Sequence, residues 1–366
     1  MTSPAGTHRA LVLRRDDPDA APTVSIEPLD DGGRIPGATT SDADDGGDPA
    51  GAWLDIDVAR SSLNYKDALV LAGHPGLVRA SPHVPGIDLA GTVAASDDPD
   101  LPVGTEVLAT GWWIGERHAG GMSTRARVRA GWTVVRPDGM DAQRAMALGT
   151  AGFTAQLAVD ALTDGGVTPE DGPVLVTGAT GGVGTVAVML LARAGFEVEA
   201  STGRAGDPEV EALLAALGAA RTIGRADVSD AARRPLASAR WAGVVDVAGG
   251  TTLAGALAAT RARGVVAVCG LVDDAALTTT VMPLIVRGVR IVGIDSVLHP
   301  AHARPAVWAR LHDGVDAGLL ASITTTVALD DVSARARDLL AGATRGRTVV
   351  DPHAERPAGH GGTEDA

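Results

Sequence analysis

One cysteine, one tyrosine and two phenylalanines among 366 residues remove several chemistries at the outset. Cys269 by itself can neither close an internal disulfide nor supply a Cys-rich zinc site, and it lies in the apolar run Val265-Val266-Ala267-Val268-Cys269-Gly270, a core setting for a small thiol. Lysine is equally scarce. Lys66 is the only one, every other cation is an arginine, and 31 basic residues face 45 acidic ones for a net charge of −14. Such a balance argues against a general binder of nucleic acid or of anionic membranes, both of which need a positive surface field. No uninterrupted apolar run reaches the roughly 18 residues of a membrane span. Met1 to Arg9 shows no cationic segment followed by an apolar one, so no secretory signal is visible and a cytoplasmic location is expected.

What is present describes a folded chain. Hydrophobic residues make up 45% and charged residues 21%, outside the disordered and collagen-like ranges, and the length predicts two domains, at about 100–200 residues each. Residues 30–50 are acidic and rich in turn formers, which predicts an exposed loop. Residues 353–366 are rich in Gly, Pro and charge and predict a frayed tail. Short alternating segments such as Ala52 to Val58, Ala90 to Val93 and Glu106 to Ala109 predict a β-barrel lobe over residues 1–140. From about Ala142, buried strands alternate with helices: Val174 to Thr177, a helix to Ala194, Glu197 to Ala200, Val244 to Val247 and Val265 to Val268. That alternation predicts an α/β fold with a doubly wound parallel sheet over residues 141–300. Residues 301–352 are expected to return to the first lobe.

The strongest local signal is Val174-Leu175-Val176-Thr177-Gly178-Ala179-Thr180-Gly181-Gly182-Val183-Gly184, which leads into an apolar helix. A strand turning into a helix through glycines lets a pyrophosphate approach the backbone at the positive end of the helix dipole, so Gly181, Gly182, Val183 and Gly184 predict a dinucleotide site. An NAD site usually carries an acidic residue at the end of the next strand. Here Ser201-Thr202-Gly203-Arg204 stands there, and hydroxyls with a guanidinium suit a 2′-phosphate, so NADP(H) is the expected cofactor. A plainer reading makes Arg204 a loop cap. Arg221 and Arg225 can complete the pocket or be surface arginines. Counting argues against a metal: zinc needs thiolate, imidazole and carboxylate ligands in one place, and His74, His83 and His118 are scattered.

Ser61-Ser62-Leu63-Asn64-Tyr65-Lys66-Asp67-Ala68-Leu69 sets an amide, a phenol, an amine and a carboxylate in succession. A phenol can donate to a carbonyl-derived enolate, and a neighbouring lysine can make it a better acid, so Tyr65 is the candidate catalytic donor with Asn64 and Lys66 orienting it. The alternative is a structural helix start with Tyr65 packed on its ring face.

These residues together resemble the medium-chain dehydrogenase/reductase superfamily, in its zinc-independent acryloyl-CoA reductase branch near the quinone oxidoreductases. The resemblance spans about Trp53 to Asp351 and rests on Ser61 to Asp67, Pro85-Gly86-Ile87-Asp88-Leu89-Ala90-Gly91-Thr92-Val93, Gly178 to Gly184, Ser201 to Arg204, Trp241 to Asp246, Thr280-Val281-Met282-Pro283 and Gly346-Arg347-Thr348-Val349-Val350. It implies a GroES-like lobe joined to a Rossmann lobe, NADPH and substrate in the cleft between them, and a homodimer. Tyr65 then lies near the nicotinamide, Gly181 to Gly184 on the pyrophosphate, and Thr202, Gly203 and Arg204 on the 2′-phosphate, while Leu271, Ile285, Ser296 and Arg347 line the cofactor cleft. Gly86-Ile87-Asp88 stands where zinc-dependent relatives carry Gly-His-Glu. The implied activity is NADPH-dependent reduction of a short 2-enoyl thioester, acryloyl-CoA to propionyl-CoA. An NADPH:quinone or general enone reductase is the close rival, and a non-catalytic NADPH-binding protein the rival from another class. A short-chain dehydrogenase fits the glycine spacing but not the order, because the lone tyrosine lies upstream of the glycines.

Overall fold

The computed structural model describes residues 8–15, 21–30, 34–35, 51–78 and 80–355. Residues 31–33 and 36–50 of the expected acidic loop and the tail from 356 onward lie outside them. The first lobe begins with β1 (His8–Arg14) and β2 (Thr23–Leu29), paired antiparallel. β3 (Trp53–Leu63) follows, then α1 (Tyr65–Leu71), β4 (Asp88–Ser96), β5 (Glu106–Thr110), β6 (Arg125–Arg129) and β7 (Thr133–Val135). Leu54, Ile56, Val58, Leu89, Val93, Val107 and Trp132 point into one apolar core, which is what drives these short, β-branched segments to pair. The period-two expectation for Ala52 to Val58 fails at Asp55. Asp55 is buried between Leu54 and Ile56 because Arg127, directly opposite on β6, holds its carboxylate with bonds of 2.6 and 2.9 Å.

α2 (Ala142–Asp164) carries the chain into the second lobe. It is long and apolar enough to cross a membrane by composition, but 78% of that window is buried inside the protein, against α3 and the barrel strand β4. There follow β8 (Val174–Val176), α3 (Gly182–Arg193), β9 (Val198–Thr202), α4 (Pro208–Ala216), β10 (Arg221–Gly224), α5 (Arg225–Ser229), β11 (Trp241–Asp246), α6 (Gly250–Ala259), β12 (Thr260–Val268), α7 (Met282–Arg287) and β13 (Arg290–Gly293). The strands form one parallel sheet in the order β10-β9-β8-β11-β12-β13. Numbered from β8 as the first strand, this is 3-2-1-4-5-6, the dinucleotide-binding order whose direction reverses between β8 and β11. The doubly wound sheet is therefore the one that strand–helix alternation predicted.

α8 (Arg304–Gly314) and α9 (Ala317–Ser322) pack back on α2, and β14 (Thr324–Ala328), α10 (Val332–Leu340) and β15 (Arg347–Asp351) close the chain. β15 pairs antiparallel with β3, setting Thr348 opposite Leu63, and gives the barrel-lobe sheet the order β14-β15-β3-β4-β5-β7. Residues just before β15 are thus brought between the two lobes.

Candidate active site

The glycine loop leaves β8 at the switch point. Thr177 is tied to the neighbouring strand by its amide on the Val245 carbonyl (3.0 Å) and its hydroxyl on Asp246 (2.7 Å), and Asp246 also accepts from the Gly249 amide at 2.8 Å. Burial pushes the Asp246 carboxyl above its ordinary range. Gly178 takes a left-handed φ of 56°, and a side chain at Gly184 would collide with the Gly178 backbone. Gly181 has nothing nearer than the Gly178 carbonyl, at 3.3 Å from where a Cβ would stand. One glycine serves the turn, one the packing of helix on strand, and Gly181 leaves the first turn of α3 open to an anion. These residues fit a pyrophosphate.

At the end of β9, Thr202 accepts the Arg204 amide at 3.2 Å, with its hydroxyl 3.4 Å from that of Thr180. Arg225 lies against Gly203 and reaches Asp273 at 3.5 Å. The Arg204 guanidinium donates to the Thr344 carbonyl at 2.8 Å, and the Gly346 amide to the Thr180 carbonyl at 3.1 Å. The segment before β15 thus straps the glycine loop to the barrel lobe. Two hydroxyls and two guanidinium groups at one strand end suit a 2′-phosphate. Arg221 points elsewhere, toward Glu199.

Arg347 links this strap to the Tyr65 segment. It is buried, its Nη1 stands close to Gly182 and donates to Asn64 Oδ1 at 3.1 Å, and its Nε donates to the Ala147 carbonyl at 2.7 Å. Its Nη2 has no partner among the described residues, and burial lowers its pKa. Asn64 Nδ2 donates in turn to Asp88 (2.8 Å) and Ser62 (2.9 Å). Asp88, fully buried, also accepts from the Ser62 hydroxyl (2.6 Å) and from the amide and hydroxyl of Thr150 (2.9 and 2.5 Å). Asp67 closes the helix start, accepting the Asn64 amide at 2.8 Å and the Ile87 amide at 2.9 Å. Its carboxyl is pushed up to about 7 by burial.

Tyr65 opens α1 on this platform. It is 37% exposed and its hydroxyl has no hydrogen-bond partner among the described residues. The ring is therefore not packed away as a purely structural helix start would have it. Lys66 does not reach the phenol: its ammonium is held by Glu116 at 3.0 Å and lies 5.7 Å over the Trp113 ring. Ser296 is half-buried in the loop after β13, whereas Leu271 and Ile285 are 59% and 71% exposed. Among the described residues no three His, Cys, Asp or Glu side chains gather as a metal site requires. His83 is buried on the Gly115 carbonyl (2.8 Å) and His118 lies on the Trp132 ring.

Sequence reasoning missed Asp88 as the hub of this network, although a carboxylate inside the apolar run Pro85 to Val93 was a signal. It also missed the corner after β5. Trp112 and Trp113 both adopt left-handed conformations, φ 53° and 58°, at a cost of about 1–3 kcal/mol each for a bulky residue. Arg304, 1% exposed, holds the corner from α8. Its guanidinium donates to the carbonyls of Thr110 (2.8 Å), Ser296 (2.9 Å), Val297 (2.9 Å) and His299 (3.1 Å) and lies 4.9 Å over the Trp112 ring. Burial lowers its pKa to about 10. No sequence pattern announces a junction between residues 110, 296 and 304.

Comparison with known proteins agrees with this architecture. Residues 50–159 match the alcohol dehydrogenase GroES-like domain and residues 182–312 the zinc-binding dehydrogenase domain. The chain is 47% identical over 299 residues to acrylyl-CoA reductase AcuI of Ruegeria pomeroyi, covering 82% of this chain and 90% of the relative. It is 42% identical over 296 residues to putative quinone oxidoreductase YhfP of Bacillus subtilis, covering 81% and 89%. The crystal structure of Escherichia coli K-12 YhdH with bound NADPH superposes with a TM-score of 0.84 at 41% identity, covering 93% of this chain and 99% of that one. The chain belongs to the medium-chain dehydrogenase/reductase family, in the branch that holds the acrylyl-CoA reductases and their quinone oxidoreductase-like relatives.

Proposed function

We propose that this protein reduces the carbon–carbon double bond of a short 2-enoyl-CoA with NADPH, taking acryloyl-CoA to propionyl-CoA. The observation that carries the reading is the partly exposed Tyr65, whose hydroxyl has no partner among the described residues, at the head of a helix whose cap is tied, through Asn64 and Arg347, to the glycine loop. Gly181 to Gly184 and Arg347 hold the pyrophosphate, and Thr202, Gly203, Arg204 and Arg225 the 2′-phosphate. Leu271, Ile285 and Ser296 line the cleft. When bound, NADPH supplies the hydride that the β-carbon of the enoyl thioester accepts. Tyr65 Oη donates a hydrogen bond to the thioester oxygen as it takes on enolate charge, and a proton from solvent water, which is left as hydroxide, then reaches the α-carbon. Asn64 acts through the backbone, fixing the angle at which α1 presents the phenol. Lys66 acts at one remove, locked to Glu116 on the same rim. The similarity to AcuI supports the enoyl-CoA substrate and that to NADPH-bound YhdH the cofactor. We place the enzyme in the cytoplasm as a homodimer.

NADPH oxidation followed by absorbance, with acryloyl-CoA, crotonyl-CoA and a simple quinone in parallel and NADH as the cofactor control, tests the reading. Turnover on acryloyl-CoA with NADPH and a large loss in Tyr65→Phe are expected. Preference for the quinone, which the 42% identity to YhfP would favour, discards the substrate and keeps the fold. Tight NADPH binding with no turnover makes the protein a non-catalytic binder, and full turnover by Tyr65→Phe removes the donor.

A further inference from the structure

A fully buried guanidinium usually sits on a carboxylate. Arg304 is buried and paired with no carboxylate among the described residues. It spends all five of its N–H donors on uncharged oxygens that belong to two different parts of the chain. The Ser296 and Val297 carbonyls (2.9 Å each) and that of His299 (3.1 Å) come from the loop after β13, and the carbonyl and hydroxyl of Thr110 (2.8 and 3.2 Å) from the end of β5. Each end of this junction leads toward the cleft. The loop leaves the carboxyl edge of the parallel sheet, where Ile294 donates its amide to the Val268 carbonyl at 2.9 Å, and Asp295 makes it a preformed turn by accepting the amides of Val297 (2.8 Å) and Leu298 (3.1 Å). Thr110 lies opposite Asp88 in the β4–β5 ladder, and Asp88 holds Asn64 at the head of the Tyr65 helix. The barrel backbone is bent to meet the loop. Gly111, Trp112 and Trp113 take left-handed φ values of 79°, 53° and 58°, and the Trp112 amide donates to the Val297 carbonyl at 3.0 Å. Strain of this kind persists where the surroundings over-determine it, and here the Arg304 guanidinium lies 4.9 Å from the Trp112 ring and 5.0 Å from that of Phe153 on α2.

We propose that Arg304 is a positioning residue for hydride transfer: by tying Ser296 and Val297 to Thr110 it fixes how far the nicotinamide stands from the enoyl thioester at Tyr65. The inference rests on the NADPH-dependent enoyl-CoA reading above and names the group that holds the two reactants in register. With the 2′-phosphate at the end of β9, a dinucleotide that crosses the switch point lays its nicotinamide half over the carboxyl ends of β11, β12 and β13, which the loop after β13 borders. Tyr65 stands on the other lobe, so the separation of the reacting atoms depends on how the lobes are joined beside it. Arg304 acts through the carbonyls it gathers and not on the reacting atoms. Lysine cannot do the same, because three donors on a point charge do not reach five oxygens spread over two lobes. A misplacement of about 1 Å costs about a hundredfold in rate, while the phosphate contacts that hold the cofactor, on the other half of the sheet, stay as they are.

The test is a single turnover: full-length enzyme is loaded with limiting NADPH and mixed with saturating acryloyl-CoA, and the loss of NADPH is followed by absorbance in the wild type, Arg304→Lys and Gly111→Ala. The amplitude then counts the molecules that are folded and loaded, and the rate constant reports the transfer itself. Arg304→Lys is expected to lower the rate constant at least about tenfold, with the Kd for NADPH within about threefold of the wild type. NADPH dideuterated at C4 should slow the variant's phase further, which identifies hydride transfer as the step that changed. Gly111→Ala disturbs the same junction and leaves Arg304 in place, because a Cβ there would stand 2.6 Å from the Val297 carbonyl oxygen and 2.8 Å from Arg304 Nη2. It should lower the same rate constant, and it decides the question if Arg304→Lys does not fold. A smaller amplitude with the wild-type rate constant would make Arg304 a purely structural residue, and a loss confined to NADPH affinity would make it a support for the cofactor site. Either result overturns the proposal and leaves the enoyl-CoA activity standing. A wild type that does not reduce acryloyl-CoA would overturn that activity and this inference with it.

Discussion

Arg204 illustrates how far a single residue can be read. Its position after the second strand of the parallel sheet suggested a 2′-phosphate ligand from the sequence, and the rival reading was a loop cap. In the structure its guanidinium rests on the Thr344 carbonyl, beside Thr202 and Gly203 and across from Arg225. Both readings remain chemically distinct and can be separated. A charge-assisted hydrogen bond is worth about 1.5–3 kcal/mol, so Arg204→Ala should raise the KM for NADPH by about ten- to a hundredfold and leave that for NADH nearly unchanged. Equal losses with both cofactors would make Arg204 a cap for the strap. Placements that follow from local spacing, such as Gly181 to Gly184 at a strand-to-helix turn and Tyr65 at the head of a helix, were legible in this way. Asp88 and Arg304 were not, because their meaning lies in partners more than 60 and more than 180 positions away in Thr150 and Thr110, and neither hydropathy nor spacing encodes such proximity.

At the scale of the element, α2 departs most from what its sequence suggests. Ala-Met-Ala-Leu-Gly-Thr-Ala-Gly reads as continuous helix, and the helix does start at Ala142, behind an Asp141 cap that accepts the Arg144 amide at 2.7 Å. Gly149 then breaks it, with φ 51° and ψ −156°, a conformation essentially confined to glycine. The break turns the Thr150 amide and hydroxyl onto Asp88, so the kink serves the polar network under Tyr65. A Cβ at this position would stand 2.5 Å from Asp88 Oδ2, 3.0 Å from Arg347 Nη2 and 3.2 Å from Ser62 Oγ. Gly149→Ala should therefore cost about 2–4 kcal/mol, the sum of backbone strain and disturbed buried hydrogen bonds, and lower activity in the residual folded enzyme. Denaturant unfolding checks this, and a loss under about 0.5 kcal/mol would mean that the helix can straighten without harm. Helices and strands of the parallel sheet were legible to within a few residues because burial on both faces writes continuous apolar runs. The kink was not, since a helical glycine and a breaking one look alike in sequence, and the pairing of β1 with β2 was hidden in segments of mixed polarity.

For the molecule as a whole, the strap before β15, the Arg304 junction and α2 join the two lobes. That leaves one prominent surface without a partner among the described residues. β13 ends the parallel sheet, and Leu284, Ile285, Val286, Ile291 and Leu298 are exposed on and beside it. Open sheet edges are usually blunted by charge or cover, and a cluster of aliphatic side chains is the opposite device. A second copy presenting the same edge would join the two sheets into one and bury those side chains, an isologous contact of the kind closed dimers use. Leu284, Val286 and Ile291 would be among the residues so covered. Electrostatics opposes the contact, because each copy carries −14. Salt screens that repulsion without weakening apolar burial, so dimerisation should strengthen as ionic strength rises. Sedimentation should give twice the 36.8 kDa chain mass for the wild type and a shift toward the single-chain mass for Ile291→Lys, largest at low salt. Ile291 lies outside the proposed cofactor residues, so NADPH binding by that variant should persist; an unchanged dimer at low salt would place the interface on another face of the molecule.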